Sequence, residues 1–471
     1  MSNPDLLGCA DAWAEKEMNH VQLGDRRRTQ RLVRVSSALA QKPTGTLPTT
    51  FSDWKSLRAA YRLFAEPDVT HDAIATPHRL RIAQACQVPG EYLLVEDTTT
   101  LSFNTHVATT DLGPVNDRHS RGFLVHNTLA LRVVGWDVDQ VPTVTVLGLA
   151  AQRCWSRPKR GLKPKQKTKS GRLGRERESL RWAASLETWQ PAPSAVQWIY
   201  VADRESDVYE VFERCTARNA DWVIRAAQAR ALVEEDQSVF AAVAQAPLCG
   251  SLTVPLRARP GQPARTLQMT LRACTVTLRG PWRPGGPLAP RTLQVLEVRE
   301  SATSGAAKPM VWVLLSSLPV STLAQIKKVV GCYTQRWLVE EFHKALKSGT
   351  QVEASQLATA RALQALCAVL SLVALRLLET KLYARAFPDE PVPSGQFAPE
   401  LIQLLSVKFG RPPEGWTQRT LWRGIARCGG FLGRRGDGEP GWITIWRGWK
   451  SLLNMVDGVV LYRKKGGRTC G

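Results

Sequence analysis

Tyr333-Thr-Gln-Arg-Trp-Leu-Val-Glu-Glu-Phe-His-Lys-Ala-Leu-Lys347 is the stretch on which the reading of this chain turns. On a helix of 3.6 residues per turn, each residue advances about 100° around the axis. On that wheel Tyr333, Arg336, Glu340, Lys344 and Lys347 share one face, while Leu338, Val339, Phe342, Ala345 and Leu346 share the opposite one. The spacing predicts a helix that buries an apolar side and presents phenol, guanidinium, carboxylate and ammonium groups along a stripe of about 21 Å. A stripe of that length tracks several phosphates of a nucleic-acid backbone. A solvated face on which Glu340 and Lys344 pair at i, i+4 is the plainer reading of the same residues.

Upstream, Tyr92-Leu-Leu-Val-Glu-Asp97 is a short apolar run that reads as a buried strand, with Asp97 at its end beside Thr98 to Thr100. Two more strand candidates follow at 122–134 and 142–150, separated by a polar turn at 137–140. Trp198-Ile-Tyr-Val-Ala202 repeats the first pattern and ends at Asp203, and residues 206–214 read as helix. Glu340 lies 137 positions after Asp203, more than a short connection needs, so something is inserted. Residues 226–310 carry alternating runs, Thr266 to Arg279 and Thr292 to Arg299, with turns at 260–263 and 284–287. They predict an antiparallel β insertion, after which Val311-Trp-Val-Leu-Leu315 resumes the core.

The ends of the chain are helical in pattern. Residues 10–85 include Gly24-Asp25-Arg26-Arg27-Arg28, which opens a basic helix through Arg31 and Arg34, and a second segment with Lys55, Arg58 and Arg62 beside Leu57, Tyr61 and Phe64. Residues 153–181 hold twelve Lys or Arg against Glu176 and Glu178, and 158–174 within them are rich in Lys, Gly and Pro, the composition of a mobile loop. Beyond Lys347 a Pro-rich linker at 387–399 precedes a segment with Trp442, Trp446 and Trp449, spaced as the core face of a helix.

Composition agrees with a nucleic-acid partner. The chain has 471 residues, and 63 Lys and Arg against 41 Asp and Glu give a net charge of +22. Such a surplus points to nucleic acid or an anionic membrane surface. The first fifteen residues contain no continuous apolar core of the kind a signal peptide has. The most apolar run, 363–378, is interrupted by Gln364 and Arg376 and is short for a span, so it is expected to be a buried helix. The ten cysteines are scattered, without CxxC pairs or Cys/His clusters, which argues for reduced thiols in the cytoplasm and against a zinc finger.

Tyr-x2-Arg-x3-Glu-x6-Lys, here Tyr333, Arg336, Glu340 and Lys347, resembles the signature of bacterial DDE transposases of the IS-four family, nearest to the Tn-five group. Glu96-Asp-Thr-Thr99, Ser120-Arg-Gly122, Asp203-Arg-Glu205 and Glu340-Glu-Phe-His-Lys344 match in the family's order, from about residue 13 to about residue 460. The resemblance implies an α/β fold: a ribonuclease H-like core at 86–375 with the β insertion at about 226–310, a helical DNA-end-binding domain at 1–85 and a helical dimerisation domain at 376–471. It implies cut-and-paste transposition on double-stranded DNA by a homodimer in a synaptic complex. The partners are transposon ends and target DNA, with no membrane, in the cytoplasm and at the nucleoid when bound. It also implies direct phosphoryl transfer: nicking, hairpin formation, hairpin opening and strand joining. A nuclease that only hydrolyses and a non-catalytic inhibitor of transposition are the alternatives; strand joining and an Mg²⁺-dependent nick separate them.

Phosphodiester chemistry without repulsion of an anionic substrate suits two divalent ions held by hard oxygen ligands. Asp97, Asp203 and Glu340 are the candidate catalytic and metal-ligating carboxylates, for two Mg²⁺ ions with Mn²⁺ as substitute. Each has another reading. Asp97 suits a turn before Thr98, Asp203 suits the cap of the following helix, and Glu340 suits pairing with Lys344 or cedes ligation to Glu341. Tyr333, Arg336, Lys344 and Lys347 are candidate phosphate ligands. Trp312 and Arg225 match family positions at the DNA hairpin, Trp312 as the platform for a flipped-out base; a strand residue and a surface charge are their plainer readings.

Overall fold

A computed structural model describes residues 10–115, 120–158, 178–187, 189–234, 237–256, 265–301, 309–393, 395–434 and 437–466. The lysine-rich part of the basic run, 159–177, and the turn at 260–263 lie outside the described residues.

Four helices lead the chain: α1 (Ala10–Met18), α2 (Arg26–Gln41), α3 (Trp54–Ala65) and α4 (His71–Ala85), with a single turn at Leu47–Thr50. Asp25 caps α2 by accepting from Arg27 N, Asp53 caps α3 from Ser56 N, and Thr70 caps α4 from Ala73 N. Arg26, Arg27, Arg31 and Arg34 remain exposed, whereas Arg28 turns inward to Glu66 at 2.5 Å and Asp68 at 2.9 Å.

The strands follow: β1 (Gly90–Ser102), β2 (Arg121–Trp136), β3 (Pro142–Trp155), β4 (Val196–Ala202), β5 (Ala220–Arg225), β6 (Leu248–Leu256), β7 (Arg265–Leu278), β8 (Arg291–Glu300) and β9 (Val311–Ser316). With the two-residue strand Gly113–Pro114 they form one ten-stranded sheet in the order 113/114-β2-β1-β4-β5-β9-β8-β7-β6, and β3 pairs with β2. The β1–β4 and β4–β5 pairs are parallel, and β1–β2, β5–β9 and β8–β9 are antiparallel. The predicted insertion is antiparallel, but it is no separate module. Its strand β8 pairs with β9, so the insertion extends the core sheet rather than leaving it.

The remaining helices are α5 (Arg181–Glu187), α6 (Tyr209–Ala217), α7 (Val239–Gln245), α8 (Leu323–Thr334), α9 (Trp337–Lys344), α10 (Ala360–Ala386), α11 (Pro399–Phe409), α12 (Gln418–Cys428) and α13 (Trp442–Gly466). Helix α10 is long and apolar enough to cross a membrane, yet 89% of its apolar window is buried inside the protein, as the sequence predicts for 363–378. It runs unbroken across the expected domain boundary at 375/376, because its apolar positions are covered on all sides. The Pro-rich stretch after it is packed rather than free: Val392 N donates to Trp416 O, and Phe397 is 6% exposed. Trp442, Trp446 and Trp449 are buried, as their spacing predicts.

Helices α12 and α13 touch backbone to backbone. A Cβ on Gly448 would stand 1.8 Å from the Ile425 carbonyl oxygen, and one on Gly429 would stand 2.1 Å from the Thr444 oxygen. Gly448→Val is therefore expected to force the helices apart and to cost about 1–3 kcal/mol of stability through overpacking. Thermal melting of the full chain checks it.

Candidate active site

Strand alternation decides which side chains face the site. Along β1, Tyr92 and Leu94 pack in one hydrophobic cluster and Leu93 and Val95 in the other, on the opposite face of the sheet. Asp97 continues the Leu93–Val95 face. On β4, Ile199 and Val201 share that cluster, and Asp203 continues them. The parallel register pairs Glu96 with Ala202, so the two aspartates follow side by side where the β1–β4 pairing ends. Val339 and Phe342 of α9 pack into the same cluster, which brings the helix of Glu340 onto this face.

Asp97 does not end its strand. The sequence places it at a strand terminus, but β1 continues to Ser102, because β2 pairs with it from Tyr92 through Ser102. The Asp97 carboxylate accepts the Thr98 N–H at 2.7 Å within that strand, so it is not a turn former. Asp203 caps, but not the helix its plainer reading gave it: it accepts Glu205 N at 2.9 Å over the short 3₁₀ turn Arg204–Ser206, while α6 starts after Val208 without a side-chain cap. A cap occupies one carboxylate oxygen and leaves the other available.

The quoted stretch is helical but not one helix. After Thr334 the bonds tighten to i−3, Arg336 N to Tyr333 O at 3.0 Å and Val339 N to Arg336 O at 3.3 Å in the first turn of α9. At Ala345–Gly349 it widens into a π turn closed by Thr350 N to Ala345 O at 3.0 Å. These two departures from 3.6 residues per turn change the predicted stripe. Tyr333 and Arg336 are buried, at 3% and 7% exposure, rather than lying on an open face. The Tyr333 ring lies edge-on to Trp312 at 5.4 Å.

Glu340 pairs with Arg336 at 2.7 Å, not with Lys344. Glu341 points elsewhere, to Lys381 of α10 and to the Trp442 indole N–H of α13, and the Lys381 ammonium sits 3.8 Å from the Trp442 ring centroid. That engagement removes Glu341 from the aspartates. Lys344 leans the same way, 3.5 Å from Glu341, so the structure does not gather it with the carboxylates. Lys347 is half-buried, and its charge acts on the buried His343, which faces Asp97 at 3.9 Å.

Electrostatics records the convergence. Burial, then the charge of Asp203, push Asp97 up to about 7; Glu340 adds to the rise, and the Thr98 N–H and Arg336 oppose it. Burial, then the charge of Lys347 and the neighbouring His126 and Arg336, push His343 down to about 3. Among the described residues no three Asp, Glu, His or Cys side chains close into a finished metal cage. Glu340 is held by Arg336 at 2.7 Å. Asp97, Asp203 and Glu340 offer the hard oxygen donors that suit a divalent cation, whose charge would offset both the burial and the neighbouring carboxylates that raise Asp97. Arg336 Nε is buried without a hydrogen-bond partner among the described residues, a free donor for an anion.

On the far side of Asp203, Arg204, Arg225, Glu297 and Arg299 line an open cavity of about 470 Å³. Arg225 Nη2 donates to Val311 O at 3.1 Å. Val311 and Val313 face that cavity, so Trp312, between them on the strand, faces the other way, toward Tyr333. Trp312 is half-buried.

Sequence reasoning missed Arg181, which it counted within the basic run. Its Nε donates to Thr98 at 3.2 Å and its Nη2 pairs with Glu205, bridging the residues that follow both aspartates. The signal was available in part: Arg181 adjoins Trp182, and the guanidinium stacks over the Trp155 and Trp182 rings.

Comparison with known families adds three matches. Residues 10–69 match a transposase DNA-binding family, residues 184–376 a transposase DDE domain, and residues 413–468 a Tn5 transposase dimerisation domain. The exposed arginines of α2 fall in the first match, Asp203 and Glu340 in the second, and α13 in the third; Asp97 precedes the second. The ten-stranded mixed sheet with its helices is thus a ribonuclease H-like DDE core. Binding, catalytic and dimerisation matches stand in one chain, in order, over about two thirds of its length. The chain belongs to the Tn5-like DDE transposases, homodimeric cut-and-paste enzymes that bind DNA and use divalent metal ions to cleave it and transfer its strands.

Proposed function

We propose that Asp97, Asp203 and Glu340 are the catalytic carboxylates and hold two Mg²⁺ ions, with Mn²⁺ able to substitute. The observation that carries this reading is the placement of Asp97 and Asp203 just beyond the paired Glu96 and Ala202 of adjacent parallel strands, with the helix of Glu340 packed on the same face; the rise of Asp97, set first by burial, then by Asp203 and in smaller part by Glu340, agrees with it. Bound ions of this kind supply an activated hydroxyl and stabilise the leaving oxygen. The chain's own residues bind and orient. Arg336 steadies Glu340 and has Nε left for a phosphate oxygen. Tyr333 and Lys347 flank that phosphate, Lys347 as a point charge. Lys344, exposed beside Glu341, takes a phosphate farther along the backbone. The reaction order is a nick at the element end, attack of the freed 3′ hydroxyl to make a hairpin, hairpin opening, and joining to target DNA.

Trp312 receives the base extruded at the hairpin, and Arg225 holds the neighbouring backbone. Unstacking a base costs a few kcal/mol, and stacking on an aromatic face returns about 1–3 kcal/mol. Trp312→Ala is expected to leave the nick nearly intact and to slow hairpin formation by roughly 10- to 100-fold, the rate equivalent of that energy. The experiment is a time course in Mg²⁺ of nicked, hairpin, blunt and joined products on a duplex carrying the element's end, beside a melting curve. Equal slowing of nick and hairpin, or a collapsed melting point, would make Trp312 a packing residue. Hydrolysis without joined product would leave only a nuclease.

A further inference from the structure

A buried hydrogen-bonded chain leaves the carboxylates and crosses the molecule. Asn127 on β2 stands directly opposite Asp97 on β1 and shares its face of the sheet. Its amide nitrogen lies 2.9 Å from His343 Nε2, and its amide oxygen lies 2.6 Å from the amide nitrogen of Gln152 on β3. The Gln152 amide oxygen lies 2.9 Å from His71 Nε2, at the first residue of α4. His71 Nδ1 then meets the exposed Asp72 carboxylate at 3.0 Å. Asn127, Gln152, His343 and His71 are at most 8% exposed, so the chain is internal until Asp72.

Its polarity follows from one backbone group. The Val125 carbonyl oxygen lies 3.4 Å from the Asn127 amide nitrogen, and a carbonyl can only accept. The Asn127 oxygen must then face Gln152, which offers nitrogen, and the Gln152 oxygen accepts the N–H of His71 Nε2. At the other end the Asn127 nitrogen donates to His343 Nε2. That nitrogen is an acceptor, so the proton of the neutral ring sits on Nδ1. Nδ1 is the atom that lies 3.9 Å from Asp97 Oδ2. The distance is too long for a hydrogen bond, and the N–H acts on the carboxylate as a fixed dipole. From His71 Nε2–H to His343 Nδ1–H the donors point toward Asp97 and each bond polarises the next, while at the outer end the His71 Nδ1–H donates the other way, to the Asp72 carboxylate.

We propose that His343 is a positioning residue for Asp97, its Nδ1–H tautomer fixed by the Asn127–Gln152 amide relay that begins at His71. The proposal rests on the reading of Asp97 as a metal ligand. An N–H dipole 3.9 Å from Asp97 Oδ2, held by a buried relay, orients the carboxylate from behind, as outer hydrogen-bonding partners orient metal ligands. Packing alone does not explain the arrangement, because apolar side chains would fill the same space without burying three polar groups in one direction.

Two measurements test it. The first is a long-range ¹H–¹⁵N spectrum of the full chain labelled at histidine, which reports tautomer without any reaction; His343 is expected as the neutral ring protonated at Nδ1. The Nε2–H form, or an imidazolium, overturns the proposal. The second is the Mg²⁺ dependence of nicking. In His343→Asn the amide nitrogen takes the place of Nδ1, whereas in His343→Gln it takes the place of Nε2. His343→Gln and Asn127→Leu are expected to raise the Mg²⁺ concentration for half-maximal rate by about 10- to 100-fold, as removal of a ligand-orienting partner does. His343→Asn is expected to recover most of that shift. Equal shifts for Asn and Gln, together with a lowered melting point in both, would reduce His343 to packing and overturn the proposal. Asp97→Asn that still nicks would overturn it from beneath, by removing Asp97 from the metal site, and the tautomer spectrum tells that failure apart from the others.

Discussion

Glu340→Gln is expected to abolish nicking, hairpin formation and strand joining, each by at least about 10³-fold, while end binding survives. A loss of that size corresponds to about 4 kcal/mol of transition-state stabilisation. The substitution keeps the shape of the side chain and removes its charge, so it also dissolves the 2.7 Å pair with Arg336. The neighbouring Glu341→Gln is the control. Glu341 holds Lys381, whose pKa burial lowers to about 7 with Arg385 assisting and Glu341 opposing. Without Glu341, that lysine loses its partner in a buried setting. Glu341→Gln should therefore lower the melting temperature and spare the Mg²⁺-dependent nick. Gel shifts on an end-containing duplex report binding, and product gels report chemistry. If Glu341→Gln abolishes cleavage and Glu340→Gln does not, the ligand assignment on α9 is wrong. Asp97→Asn and Asp203→Asn are expected to behave like Glu340→Gln.

The second large effect is the weakening of end binding by salt. A protein that neutralises six to ten phosphates loses about 10³- to 10⁵-fold in affinity between 50 and 200 mM salt, because counterions are no longer released against a dilute background. The +22 surplus and the DNA-binding match put this chain in that class. Arg27, Arg31 and Arg34 recur at i, i+4 and i+7 on α2 and are exposed, while Arg28 is committed to Glu66 and Asp68. Replacing the first three by Gln should flatten the slope of log K against log salt by roughly 2.7, about 0.9 for each phosphate no longer neutralised. Arg28→Gln should instead lower stability through α3 and leave the slope unchanged. An unchanged slope in the triple variant would remove α2 from the DNA interface.

Much of this was legible in one dimension. The apolar runs ending at Asp97 and Asp203, the alternating insertion, the buried α10 and the tryptophan face of α13 follow from periodicity, which depends only on neighbouring residues. The four-residue signature and the order of the flanking motifs carry the family resemblance by themselves.

Other features depend on where the chain returns to itself. Periodicity assumed one regular helix from Tyr333 to Lys347, whereas the 3₁₀ tightening after Thr334 and the π turn at Ala345–Gly349 answer to tertiary packing, including Trp446 within 3.0 Å of where a Gly349 Cβ would be. Sequence left Glu340 and Glu341 as rivals one residue apart. The structure separates them because Lys381 and Trp442, forty and 101 positions downstream, pack beside Glu341. The insertion's strands were visible, but their joining to the core sheet through β8 and β9 was not, since strand partners are chosen by hydrogen bonding between distant segments. The same holds for Arg181 and for the relay from His71 to His343, whose members are spread over α4, β2, β3 and α9. Sequence determined the local elements and the chemical types available; long-range packing alone decided which carboxylates face one another and which charges hold them, because burial and pairing are properties of residues brought together by the fold.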